Sequence, residues 1–414
     1  MTTDKTNTKL RAGIIGLGCR GNSMTDLLAE RDDIAITAVC DVYDDRISMM
    51  QEKLAAKYGL RPVGFTDYRD LIASPLTDII FVFAAWEAHV PAACAAMEAG
   101  KPVAFEVGGA YSVDDCYLLV KTYEETHTPA MMLENCMYGV TEMTVTEMAH
   151  AGVFGDIMHI DGGYMHDLRS EIAFGEKRRH YRLRNYLSRN CENYPTHELG
   201  PICRLLGINE DNSFLSLSSF STAARGLNDY AARTPGVPAE LATAHFAQGD
   251  IVTTMLTTAK GQTVRLTLDT TLARAYSRGL TVHGTRGCFI EDNLSVYTDA
   301  DNVERDHFRW RNFWGNFDNY KEKYMPALWR DYLAEGVKKG HGGMDYLVLD
   351  AFMTSLHEDQ PMPVDIYDAA VMMAVSPLSA LSIERGGAPV EFPAFSKDTA
   401  LLPRCHGKYA LHTV

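Results

Sequence analysis

Near its amino end the chain reads Gly16-Leu17-Gly18-Cys19-Arg20-Gly21, and an acidic residue, Asp41, stands 20 positions beyond the last glycine. Few short patterns constrain a fold so tightly. Leu10 to Ile15 is an apolar run that predicts a strand, Asn22 to Glu30 predicts a helix, and Ala35 to Cys40 predicts a second strand ending at the acid. Strand, glycine turn, helix, strand, acid is the order of a dinucleotide-binding unit. The glycines let the backbone approach a pyrophosphate, and the helix N-terminus offers N–H donors and a positive dipole end. Asp41 is placed to accept hydrogen bonds from a ribose diol. It would repel a 2′-phosphate, so NAD is expected over NADP, a preference that nearby Arg46 tempers.

The first third continues the alternation. Strands are expected at 10–15, 35–40, 78–83, 102–106 and 130–133, and helices at 20–31, 44–58, 86–99 and 113–126. Near-continuous apolar strands between amphipathic helices indicate a parallel sheet covered on both faces. From about 156 to 297 strands are expected to dominate. Val264-Arg265-Leu266-Thr267-Leu268-Asp269 alternates strictly, which suits an antiparallel sheet with one solvated face. The fold class is therefore α/β: a Rossmann doubly wound parallel sheet, then an α/β domain with a large open, mostly antiparallel sheet. The expected boundaries are a disordered lead over 1–9, an NAD-binding domain over 10–137, and a substrate and oligomerisation domain over 138–414. Residues 300–340 are rich in aromatics, among them Phe308, Trp314, Phe317 and Trp329, and read as a packed loop or a lid. Leu347, Val348, Ala351 and Phe352 stand at helical spacing and read as core. A later helix is expected from about Asp365 to Arg385, stopped by Gly386-Gly387.

Bulk properties narrow the function. At 414 residues two domains are expected. A net charge of −15 without a basic run argues against nucleic acid and anionic membranes as partners. No stretch reads as the roughly 18 apolar residues of a membrane span. The nine cysteines form no CxxC pair and stand mostly in apolar contexts, the pattern of reduced thiols in a cytoplasm. Neither HExxH nor a Cys cluster marks a metal site, so none is expected.

In open α/β sheets the site lies beyond the carboxyl ends of the strands. Three strand ends carry chemistry: Trp86-Glu87-Ala88-His89, Glu106-Val107-Gly108-Gly109, and Glu134-Asn135-Cys136-Met137-Tyr138. A carboxylate directly after an apolar strand and before two glycines, as at Glu106, is hard to explain by packing. The densest constellation runs from Asn190 to Pro201 and contains Tyr194-Pro195-Thr196-His197. Pro195 stiffens the entry, and Thr196 is expected to cap a helix beginning near His197. An imidazole in a first helical turn faces the positive dipole end, which favours the neutral form that a general base needs. Tyr164, His166, Asp167 and Arg169, the basic loop with Arg182 and Arg184, Tyr276-Ser277-Arg278, and His341 to Asp345 are further candidates.

Taken together, these pieces resemble the Gfo/Idh/MocA oxidoreductase superfamily. Within it, they are most similar to the NAD-dependent glycosidases typified by α-N-acetylgalactosaminidase (glycoside hydrolase family 109). The resemblance rests on Gly18-Cys19-Arg20-Gly21, Trp86-Glu87-Ala88-His89, Glu106-Val107, Glu134-Asn135 with Tyr138, Gly163-Tyr164 with His166 to Arg169, Tyr194 to His197 with Gly200-Pro201, Tyr276-Ser277-Arg278, His341 to Asp345, and Asp365 to Ala370. It spans about residues 10–393. It implies that Asp41, Trp86, His89, Glu106, Val107 and Asn135 contact NAD, beside Gly16, Gly18, Cys19, Arg20 and Gly21 of the turn. Tyr164, Arg182, Tyr194, His197, Tyr276 and His341 would line the sugar site. Ordinary dehydrogenases of the superfamily usually carry Glu-Lys-Pro after this strand. Here the chain reads Glu106-Val107-Gly108 and that lysine is absent.

The chemistry implied is hydrolysis of a glycoside by transient oxidation at C3, elimination across C1 and C2, addition of water and re-reduction. His197 with Tyr194 would serve the C3 hydroxyl, and Tyr138 or Tyr276 would work at C2. The alternative is an NAD-dependent sugar or glycoside 3-dehydrogenase that stops at the 3-keto product. A homo-oligomer is expected by analogy with the superfamily.

Overall fold

The computed structural model describes residues 9–301, 310–396 and 402–411. Residues 1–8 of the expected lead and Phe308 lie outside the described residues. Two compact units divide the chain: Met1–Leu133 with Lys338–Ala370, and Glu134–Val337 with Val371–Val414.

The first unit is built on six strands: β1 (Leu10–Ile15), β2 (Ile34–Cys40), β3 (Val63–Phe65), β4 (Ile79–Val82), β5 (Val103–Phe105) and β6 (Ala130–Met132). All pair in parallel, in the order β3-β2-β1-β4-β5-β6. The strand order reverses between β1 and β4, which puts the nucleotide-binding crevice at their carboxyl ends. Helices α1 (Cys19–Ala29), α2 (Asp44–Tyr58), α3 (Tyr68–Ala73), α4 (Trp86–Glu98) and α5 (Val113–Thr126) follow the strands. Burial on both faces explains the unbroken apolar runs: all four residues of β4 and all three of β5 are buried. Ser112 and Asp115 close a capping box that starts α5, and Gly59 at φ 70° ends α2.

The chain later returns to this unit. In the helix Met344–Glu358, Leu347, Val348, Ala351 and Phe352 are buried, and the Phe352 ring meets Phe81 of β4 edge-on at 5.6 Å. Arg31 bridges Asp33 at 2.8 Å and Asp350 at 2.7 Å, pinning the same helix from outside. The helix Ile366–Glu384 follows, and the division between the units falls within it. It corrects the reading that no stretch reaches spanning length. By length and composition it is apolar enough to cross a membrane, and 78% of its apolar window is buried inside the protein.

The second unit carries an eight-stranded sheet: β7 (Ile157–Met165), β8 (Phe214–Ser221), β9 (Ile251–Thr258), β10 (Thr263–Asp269), β11 (Thr281–Gly284), β12 (Gly287–Ile290), β13 (Ser295–Thr298) and β14 (Val390–Glu391). The order is β13-β12-β11-β7-β10-β9-β8-β14. Only the β7–β10 pair is parallel; the rest are antiparallel. Along β10, Val264, Leu266 and Leu268 are buried while Arg265 faces outward, as strict alternation requires. Helix Thr196–Leu206 lies against β7. The contact is so close that a Cβ at Gly162 would stand 2.4 Å from Glu198 Cγ.

Strands do not dominate all of 156–297. Between β7 and β8 the chain forms four helices, Arg169–Ala173, Gly175–Arg178, Arg182–Ser188 and Thr196–Leu206. Three of them are too short to show a helical period in sequence. In the aromatic segment Phe317 is fully buried against Phe289 at 4.9 Å, and Trp329 and Tyr332 are buried, whereas Trp314 is half-exposed.

If Lys338–Ala370 belongs to the first unit's core, Phe352→Ala will destabilise the protein by about 3–5 kcal/mol, the usual cost of emptying a buried aromatic site. Thermal denaturation compared with Phe352→Leu checks this, with the leucine variant losing distinctly less.

Candidate active site

The glycine turn forms a backbone cradle. Gly16 has φ 92°, and a Cβ there would stand 2.5 Å from the Ala84 backbone. A Cβ at Gly21 would collide with the Gly16 carbonyl at 1.9 Å. Gly18, the N-cap of α1, differs: a Cβ there would meet only the Arg46 guanidinium, at 3.7 Å. Space over a helix N-terminus that a side chain would fill is what a pyrophosphate requires. Asp41 follows β2, and its carboxylate accepts from the Leu17 N–H at 2.8 Å and the Tyr43 N–H at 3.1 Å. These bonds fix the carboxylate beside the turn. Arg46 approaches Asp41 at 3.4 Å and lies over the Tyr43 ring at 4.9 Å. The residues present fit a dinucleotide.

The next two strand ends interlock. Trp86 and His89 in the first turn of α4 are both buried. The His89 ring nitrogens face the carbonyls of Ala84 at 3.0 Å and Gly108 at 3.2 Å. Burial pushes its pKa down, against the pull of these carbonyls and of Glu106. Gly109, at φ 107°, leaves no room for a side chain: its Cβ would stand 2.7 Å from His89 Cβ. His89 is therefore the wedge under the Glu106-Val107-Gly108-Gly109 turn. Val107 is buried in that turn.

Glu106 ends in an ion cluster. Arg20 Nε donates to Glu106 at 2.6 Å, and the two terminal nitrogens of Arg20 donate to Asp345 at 2.8 and 3.0 Å. His341 Nδ1 lies 2.7 Å from the same Asp345. His341, expected on the sugar, thus stands in the first unit as a partner of Asp345 and Arg20. Burial would raise the Asp345 carboxyl, but the His341 and Arg20 hydrogen bonds outweigh it and hold it far below the usual range.

In the second unit, side chains from five chain segments converge. Glu134 caps the short 3-10 turn Asn135–Tyr138 by accepting from the Cys136 N–H at 3.0 Å. The same oxygen receives His197 Nδ1 at 2.8 Å. Burial would raise Glu134; the His197 imidazole and the Cys136 N–H outweigh it and hold the carboxyl below its ordinary value. An ionised carboxylate only accepts hydrogen bonds, so Nδ1 donates and Nε2 is left as the basic nitrogen. Thr196 does not cap this helix. It is the first helical residue, and Pro195 occupies the cap.

Around His197 stand Tyr194 at 4.8 Å and Tyr164 at 5.4 Å, ring centre to ring centre, and these two tyrosines stack at 4.3 Å. The Tyr164 hydroxyl bonds His166 Nδ1 at 3.0 Å, and Tyr276 closes on His166 at 5.1 Å. Arg182 lies over the Tyr194 ring at 4.9 Å and pairs with Glu171 at 2.7 Å. Tyr164, Arg182, Tyr194, His197 and Tyr276 are thus brought together, and Glu134 and His166 join them. Burial, with the Arg182 charge, pushes His166 down, so its imidazole is neutral at pH 7. Burial pushes Tyr164 up to about 12 and raises Tyr276 as well.

Tyr138 is not in this group. Fully buried, it donates its hydroxyl to the Tyr409 carbonyl at 3.2 Å, and its ring meets Tyr409 edge-on. Burial drives its hydroxyl well up. The 3-10 turn carries that ring into the core, which removes Tyr138 as a base. Asn135, in the same turn, is buried with its Oδ1 3.5 Å from the Cys136 thiol.

Two buried acids lie behind the site. Arg278 pairs with Glu142 and, at 3.6 Å, with Glu198. Burial and the neighbouring Glu142 raise Glu198 well above its ordinary value. Among the described residues, donor atoms of Glu134, Cys136 and His197 also lie within 4.8 Å of one another, the chemistry of a metal ligand set. Burial drives the Cys136 thiol well up against the pull of the Arg278 charge, so it keeps its proton and does not offer the thiolate a metal takes. Glu192, two residues before Tyr194, is fully buried. Its backbone is held by Ser379 and Ser376 at 2.7 Å each. Burial pushes its carboxyl up to about 8.

The glycine cradle on a parallel sheet defines a dinucleotide-binding protein of the Rossmann class. The family described as "Oxidoreductase family, NAD-binding Rossmann fold" matches residues 10–133, and "Glycosyl hydrolase 109, C-terminal domain" matches residues 138–401. A glycosyl hydrolase family 109 protein of Stenotrophomonas maltophilia (strain K279a) is 34% identical over 412 residues, covering 94% of this chain and 89% of that protein. An α-N-acetylgalactosaminidase of Tannerella forsythia is 35% identical over 417 residues, covering 95% and 87%. The chain belongs to glycosyl hydrolase family 109. In fold it matches a levoglucosan dehydrogenase solved with NADH and levoglucosan, with TM-score 0.67 and 18% identity over 93% of this chain and all (100%) of that one.

Glu192 makes stability depend on pH. Its folded carboxyl keeps a proton up to about 8, whereas the unfolded chain loses it near the ordinary value of 4.5. Stability therefore falls as pH rises through that window. Glu192→Gln will flatten the fall and raise the melting temperature at pH 9, with little effect below pH 4.5. Melting curves across pH check it.

Proposed function

We propose that the protein hydrolyses glycosides by transient oxidation at C3, elimination across C1 and C2, addition of water and re-reduction. The observation that carries this reading is the pairing of buried Glu134 with partly buried His197, set in a wall of tyrosines. NAD held at the glycine cradle and Asp41 would supply a hydride acceptor for C3 and, reduced, a hydride donor at the end, so no net redox would occur.

The chain's own groups handle the protons. Glu134 holds the His197 tautomer, and Nε2 takes the C3 hydroxyl proton as the carbonyl forms. The new ketone acidifies the hydrogen at C2. Tyr164 removes that hydrogen as a proton and passes its own to His166, which burial keeps neutral and able to accept it. Tyr276, whose hydroxyl is pushed up, packs against His166. The electrons from C2 form the C1–C2 double bond and the C1 substituent leaves. Water then adds at C1 and its second proton goes to the departed substituent, C2 takes a proton from the Tyr164–His166 pair after exchange with solvent, and His197 gives its proton back to the C3 oxygen. Arg182 over Tyr194 stiffens the aromatic wall. The relative named α-N-acetylgalactosaminidase makes 2-acetamido galactosides the first substrates to try.

Incubation with aryl glycosides in D₂O tests the reaction. Free sugar carrying one deuterium at C2 supports elimination. A 3-keto glycoside formed once per enzyme and no further without added NAD⁺ makes the protein a dehydrogenase instead. Glu134→Gln will cut kcat by about 10²–10⁴ while bound NAD stays unchanged, the usual share of a positioned acid–base group. Tyr164→Phe will still oxidise C3 but will not eliminate, so reduced cofactor will accumulate on the enzyme. Single-turnover spectra separate the two variants.

A further inference from the structure

Arg20 stands in the first turn of α1, where a cation would be expected to face the pyrophosphate. Its guanidinium is instead committed to two carboxylates: Glu106 at the end of β5 and Asp345, 325 positions along the chain. Asp345 accepts two parallel bonds, from both terminal nitrogens, the strongest geometry open to this pair. His341 completes the cluster on Asp345 at 2.7 Å and approaches Arg20 at 3.4 Å. The Asp345 side chain is 3% exposed, so solvent screens these bonds little. The segment that brings Asp345 here is a chain of left-handed turns, with Gly340 at φ 97°, His341 at 42°, Gly342 at 66° and Gly343 at 99°. Just beyond it, Met344–Glu358 is anchored independently by Phe352 on Phe81 and by Arg31 on Asp350. A glycine-rich turn next to a fixed helix can move without disturbing the core.

We propose that Asp345, with His341, latches the 340–345 turn to Arg20 at the carboxyl edge of the parallel sheet, and that breaking this latch is the step that lets NAD leave. Asp345 is a positioning residue. It holds Arg20, and through it Glu106, while the glycine cradle supplies the phosphate contacts. The inference rests on the reading of a reaction without net redox, in which the cofactor has no need to exchange and slow release is an advantage.

The test is exchange of bound NAD for excess isotopically labelled NAD, followed by mass spectrometry of the filtered enzyme, without any sugar present. Asp345→Asn should exchange at least tenfold faster than the parent, and Asp345→Glu should recover part of the difference. His341→Ala removes a side chain that is 62% exposed, so it leaves the core intact and decides the matter if Asp345→Asn does not fold. It should exchange several-fold faster, with an unchanged melting temperature for the cofactor-free protein. Exchange within twofold of the parent in His341→Ala and in folded Asp345→Asn overturns the latch. Turnover is measured separately: a protein that hydrolyses no glycoside but releases NAD slowly, in a latch-dependent way, refutes the proposed reaction and leaves the latch standing.

Discussion

The second unit's site depends on one hydrogen bond, from His197 Nδ1 to Glu134 at 2.8 Å. A buried carboxylate is costly unless it is paired and hydrogen-bonded. Glu134 meets that condition with the His197 ring and the Cys136 N–H. One carboxylate thereby starts the 3-10 turn, orients the imidazole and selects its tautomer. Removing it would leave the ring free to turn and to place either nitrogen toward the substrate.

In the proposed reaction each titrating atom has a neighbour suited to its task. Tyr164 is pushed up to about 12 and alone is a weak base at neutral pH. Its bond to His166 supplies an acceptor for its proton. In the first unit the same economy holds Arg20 between Glu106 and Asp345, where it organises acidic side chains. A bound pyrophosphate would be left to backbone donors around Gly16, Gly18 and Gly21.

Much of the fold was legible in the sequence, for a physical reason. Strands buried on both faces read as unbroken apolar runs, so β1, β2, β4, β5 and β6 stand within a residue or two of where those runs place them. The strand β3 is three residues, Val63-Gly64-Phe65, mostly solvent-facing, and carries no such run. The short helices between β7 and β8 have no measurable period. At the site, the Tyr194 to His197 turn announced itself because a stiff proline, a tyrosine and a histidine share one helix start. Glu134 stood out at a strand end, but its pairing with His197 was not legible because the two lie 63 positions apart, a distance at which sequence spacing carries no information. Tyr138 misled for the converse reason: an aromatic after a strand end looks alike whether it faces a pocket or, as here, Tyr409 in the core.

The proposed reaction requires the cofactor to be reduced and reoxidised within each hydrolytic turnover. Rapid mixing of the NAD-loaded enzyme with an aryl glycoside, followed through the absorbance of reduced nicotinamide, tests it directly. The signal should rise to a fraction of the enzyme concentration, hold while free sugar forms, and return to baseline when substrate is exhausted. Free sugar released with no reduced nicotinamide at any time would contradict it.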